Sequence, residues 1–154
     1  MTVCGCGRSS RSKTGDFDMK LAAFSTIIAL SSSAVFAAGH AMPGVEAMDQ
    51  DVSGGIVTAA SVTAPANGWL VVHRTDADMK PGPVVGYAAL KEGMNSDVAA
   101  ILQEDVASGD MLMLMVHGED GGMSTGVFEY TLGAKEDGPI RVDGDLVMTV
   151  VTAQ

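Results

Sequence analysis

Met111-Leu112-Met113-Leu114-Met115-Val116-His117 is the stretch that decides the fold. It holds no glycine, proline or charged residue, and it is bounded by Ser108-Gly109-Asp110 and by Gly118 to Gly122, both turn-forming clusters. Side chains of a strand alternate between two faces, so Leu112, Leu114 and Val116 share one face while Met111, Met113, Met115 and His117 share the other. Trp69 to His73 repeats the pattern, with Trp69, Val71 and His73 on one side and Leu70 and Val72 on the opposite side. A strand apolar on both faces belongs in the middle of a sheet. Its outer face must be covered by more of the chain or meet a partner.

Working outward from these two strands, apolar runs and turn formers alternate regularly. Strands are expected at Ile56 to Ala64, Trp69 to Thr75, Pro83 to Leu90, Asp97 to Gln103, Met111 to His117, Gly126 to Leu132 and Leu146 to Thr152. The breaks fall at Pro65-Ala66-Asn67-Gly68, Lys80-Pro81-Gly82-Pro83, Glu92-Gly93 and Asp137-Gly138-Pro139. Ser96 to Asp105 also carries a helix-like cap at Ser96, but the alternation of Val98, Ala100 and Leu102 favours a strand. The expected fold is all-β, an antiparallel sandwich of about seven strands, immunoglobulin-like in the broad sense, with a small barrel as the alternative.

Before that domain the chain reads as three further segments. Met19-Lys20 followed by the apolar run Leu21 to Phe36, with Val35-Phe36-Ala37 before a cut at Ala37/Ala38, has the form of a signal-peptide helix over 19–37. The run is shorter and weaker than the ~20 apolar residues of a spanning helix. Residues 1–18 place Asp16 and Asp18 where a signal needs positive charge, and are expected to be a non-translated or disordered extension. Residues 38–55, rich in glycine and acids, are expected as a flexible lead-in, and 56–154 as the β-domain.

Charge and cysteine usage exclude several function classes. Of nine basic and nineteen acidic residues, four basic and two acidic ones precede Ala37, which leaves five against seventeen and a net charge of −12 in the remainder. Such a surface repels phosphates and anionic headgroups, so neither nucleic acid nor membrane binding beyond the leader is expected. The only cysteines, Cys4 and Cys6, lie in the extension. The remainder can therefore form no disulfide, thiol nucleophile or copper thiolate.

The blocks GWLVVHRTD (68–76), PGPVVGYAALKEG (81–93), MLMLMVHGEDGG (111–122), GVFEY (126–130) and DGPIRVDGDLVMTVVTA (137–153) occur in that order. Together they resemble an uncharacterised domain family found on exported and surface proteins of haloarchaea and bacteria, over roughly residues 56–154. The resemblance implies a β-rich extracellular module with no established activity, and its strand-ending histidines match His73 and His117. The methionines from Met111 to Met115 are more numerous than its pattern.

Catalytic machinery is missing from the pattern. No Gly-x-Ser-x-Gly elbow, Cys–His pair or strand-to-helix phosphate loop occurs, and the acid pairs Glu119-Asp120 and Glu136-Asp137 read as solvated turn residues. The expected function is thus a non-enzymatic binding or structural module, periplasmic or secreted, that meets an unknown protein or envelope component through Trp69, Met111 and Met113. No cofactor is required by this reading. The alternative is a periplasmic copper protein using His73, His117, Met113 and Met115, because thioethers and imidazoles hold Cu(I). That site needs the two histidines to meet, which neighbouring antiparallel strands are expected to forbid. A further alternative is a calcium-dependent surface domain built on the acidic turns Gly118 to Gly122 and Asp137 to Asp145.

Overall fold

The computed structural model describes residues 41–154, so the leader, the extension and Cys4 and Cys6 lie outside the described residues. The strands are β1 (Gly44–Glu46), β2 (Ile56–Ala64), β3 (Gly68–Thr75), β4 (Val84–Leu90), β5 (Gly93–Leu102), β6 (Met111–Gly118), β7 (Arg141–Val142), β8 (Asp145–Leu146) and β9 (Met148–Thr152). Seven of them form one antiparallel sheet in the order β1-β2-β5-β4-β3-β6-β9, and β7 and β8 form a small hairpin. The all-β, seven-stranded antiparallel expectation holds. Among the described residues no helix is long and apolar enough to cross a membrane.

The strands are hydrogen-bonded in one continuous sheet that curls until its two edges meet. Gln50 makes the closure. Its backbone nitrogen donates to Thr152 and its carbonyl accepts from Gln154, which bridges the segment after β1 to the end of β9. Its side-chain amide donates to the Thr58 carbonyl at 2.9 Å and accepts from the Thr58 nitrogen at 2.8 Å, standing in for a strand neighbour of β2. Asp49 adds a carboxylate that accepts from the Thr152 nitrogen at 2.7 Å.

Within the expected lead-in, Gly44–Glu46 pair with β2 and Gln50 bridges to Ala153. The short, glycine-rich β1 carries no periodicity of its own, and it is held by backbone pairing to β2 with Val45 against the core. Inside the curl, Leu70, Val72, Leu112, Leu114 and Val116 pack with Val57, Ala59, Val62, Val85, Ala100 and Val151. The segment Ser96 to Asp105 is strand through Leu102, and Asp97 takes a left-handed φ of 52° where β5 turns a corner.

The expected strand at Gly126 to Leu132 does not form. Both β3 and β6 already have two hydrogen-bonded neighbours, so no sheet edge is open to it. Its alternation is used differently: residues 119–140 cross the outer face of β3 and β6, and Phe128 and Tyr130 pack down onto that face. The segment is pinned by Gly118 N donating to Gly138 O at 2.9 Å and Ile140 N donating to Val116 O at 2.9 Å.

Replacing Gln50 by alanine removes two partly buried hydrogen bonds and leaves the Thr58 backbone groups unpaired, so Gln50→Ala should destabilise by about 1–3 kcal/mol in urea unfolding. Gln103→Ala, at an exposed position, should stay within about 0.5 kcal/mol. Equal midpoints for the two variants would contradict closure through Gln50.

Candidate site: a buried histidine pair under an aromatic cover

The outer face of β3 and β6 is as dry as the inner one. Val71 and Met113 are fully buried, Met115 is 1% exposed and Trp69 6%. Register pairs Trp69 with His117, Val71 with Met115 and His73 with Met113, so these six side chains alternate along one face. Of the residues expected to meet a partner, Met113 is fully buried, Trp69 is buried with its ring 5.5 Å from that of Phe128, and Met111 is half-buried at the strand end.

The two histidines meet. His73 and His117 are 0% and 1% exposed, and their Nε2 atoms stand 3.4 Å apart with the rings nearly parallel, 29° between planes. The strands are antiparallel neighbours, the arrangement expected to keep the residues apart, and one cross-strand pair, Val71–Met115, separates them. Each imidazole reaches along its strand toward the other, so side-chain length spans what the Cα positions alone would not.

Backbone carbonyls fix both rings. His73 Nδ1 donates to the Gly82 carbonyl at 2.8 Å, and His117 Nδ1 donates to the Asp137 carbonyl at 2.7 Å. Gly82 can come that close to β3 only because it lacks a Cβ, which would stand 2.7 Å from the Arg74 carbonyl oxygen. A carbonyl only accepts, so each neutral ring carries its proton on Nδ1. Both Nε2 lone pairs then face one another with no hydrogen between them.

Tyr130 closes the pair from above, edge-on to His117 at 4.5 Å and to His73 at 5.9 Å between ring centres. Phe128 continues the cover, 4.3 Å from Tyr87 and 5.5 Å from Trp69. Asp137, expected as a solvated turn acid, is instead 0% exposed: its Oδ2 accepts from the Glu129 nitrogen at 2.7 Å and its Oδ1 has no partner. Tyr130, Gly82 and Asp137 were not legible as site residues, since each contributes through the path of its loop and not through any spacing. The only sequence signal for them is the need of an apolar outer face for a cover.

Desolvation sets the protonation of the pair. Burial pushes the His117 imidazolium down to about 4, against the opposing pull of the Asp137 carbonyl bond, and burial lowers His73 as well. Because the folded value lies below the ordinary 6.5, the unfolded chain binds more protons between about pH 4 and 6.5. Stability is therefore lost as pH falls through that window, on the order of 3 kcal/mol for His117. An NMR titration should leave the His117 ring resonances at their neutral shifts down to pH 5; a midpoint near 6.5 would mean that the ring is open to water.

No curated protein and no solved structure matches the chain. A family model described as Domain of unknown function (DUF7282) matches residues 43–154. That span contains all nine strands, the aromatic cover and both histidines, and the chain belongs to this family.

Proposed function

We propose that the domain is a non-enzymatic metal-binding module of an exported protein and that its ion is Cu(I), held by Nε2 of His73 and Nε2 of His117. The observation that carries this reading is the 3.4 Å approach of two imidazole nitrogens whose other nitrogens are committed to carbonyls. Two lone pairs at that distance repel unless a cation lies between them. A proton is disfavoured there by burial, whereas a soft metal needs the deprotonated nitrogen. Ring orientation by a bond from the second nitrogen is the usual support of a metal-binding histidine.

The spacing also suits a metal. With metal–nitrogen bonds of about 2.0–2.1 Å, nitrogens 3.4 Å apart subtend an angle of about 110° at the ion, which is that of a three- or four-coordinate centre. Met115 and Met113 lie on the same face, and a thioether from either would complete a donor set that suits Cu(I) over hard ions. The calcium reading lacks comparable support: among the described residues no three His, Cys, Asp or Glu side chains converge. Export is supported by the signal-like segment 19–37, which suits a periplasmic or secreted place.

A second reading, a partner-binding surface, is favoured by a different observation. Ile56, Ile101 and Tyr87 are cross-strand partners on β2, β5 and β4 and are 45%, 70% and 37% exposed, an apolar row on the outer face.

Anaerobic titration against a Cu(I) chelator should give one tightly bound ion per chain, with affinity reduced at least about 100-fold in His117→Ala and similarly in His73→Ala. Met115→Leu, which preserves volume, should weaken binding by a smaller factor if its thioether ligates. Absence of Cu(I) binding by the folded wild-type protein would discard the metal reading and leave the apolar row.

A further inference from the structure

Asp137 is the one fully buried carboxylate among the described residues, and half of it has no hydrogen-bond partner. Resting on the copper reading above, we infer that Asp137 is the charge-balancing residue of the histidine site, offsetting the positive charge of a bound Cu(I). Two neutral imidazoles and a thioether bring no charge, so a bound Cu(I) would place one uncompensated positive charge in a dry interior, an arrangement proteins avoid. One buried carboxylate beside the pair makes the sum zero.

The residue is built into the site by its backbone. Its carbonyl accepts from His117 Nδ1, its nitrogen donates to the Asp120 carbonyl at 2.8 Å, and its carboxylate folds back to the Glu129 nitrogen. These bonds require a left-handed φ of 46°, a conformation that aspartate, asparagine and glycine tolerate better than other residues. The carboxylate therefore cannot drift from His117, because the same residue supplies the carbonyl that orients the ring. Asp137 acts through the ligands and is a positioning and charge-balancing residue rather than a ligand itself.

The test compares wild type with Asp137→Asn and Asp137→Gly, both compatible with the left-handed backbone and both retaining the carbonyl that holds His117. Cu(I) affinity and, with Ag(I) as a redox-inert monovalent probe, Ag(I) affinity should fall about 10–100-fold in each variant. The reduction potential of the bound copper should rise, since removing a negative charge disfavours Cu(II) more than Cu(I). Asp145→Asn, which deletes an exposed acid outside this segment, should leave affinity within about twofold and the potential unmoved. A lower melting temperature with unchanged potential and affinity in both Asp137 variants would reduce Asp137 to a structural role and overturn the inference. Failure of the wild-type protein to bind either ion would instead overturn the copper reading on which it rests.

Discussion

Everything in this domain follows from a pair of neighbouring strands that are apolar on both faces. β3 and β6 cannot leave either side to water, since Leu70, Val72, Leu112, Leu114 and Val116 point one way and Trp69, Val71, Met113 and Met115 the other. Each buried side chain of this size contributes roughly 1.5–3 kcal/mol, so two coverings are required. The inner face is covered by curling the sheet until Gln50 bridges its edges. The outer face is covered by residues 119–140. The histidine pair sits on that outer face, under the second covering.

That position explains why two polar rings are tolerated in a dry layer. A buried polar group without partners is costly, and the carbonyls of Gly82 and Asp137 satisfy one nitrogen of each ring. The remaining two nitrogens satisfy neither each other nor any other group. The fold thus supplies half of the hydrogen bonding of the two rings and brings their other nitrogens to one point. Met113 and Met115 fill the space around it with polarizable, adaptable side chains.

The strands were legible because they obey a short period and are bounded by turn residues: β2, β3, β4 and β6 lie within a residue of their expected limits, and the requirement for a covered outer face follows from Met113 and Met115 alone. β1 was not, because three residues beginning with glycine have no pattern to find and are ordered by pairing with β2. Gly126 to Leu132 misled because Phe128 and Tyr130 alternate as a strand does, while the alternation serves packing onto a finished sheet. His73 and His117 were recognisable as candidates, but their meeting depends on ring orientation, and that is set by two loops whose course no local signal fixes. The burial of Asp137 is of the same kind.

The closure through Gln50 has a consequence for how the chain is made. The nitrogen of Thr152 and the carboxylate of Asp49 are joined across a separation of 103 residues, and Gln154 returns to Gln50. Contacts so distant in sequence form late and slowly. Until the β9 end has reached Gln50, the sheet keeps two unpaired edges. Open edges of this kind are templates for pairing with other chains, so the seal that Gln50 makes is also what keeps one copy of the domain from adding strands to another.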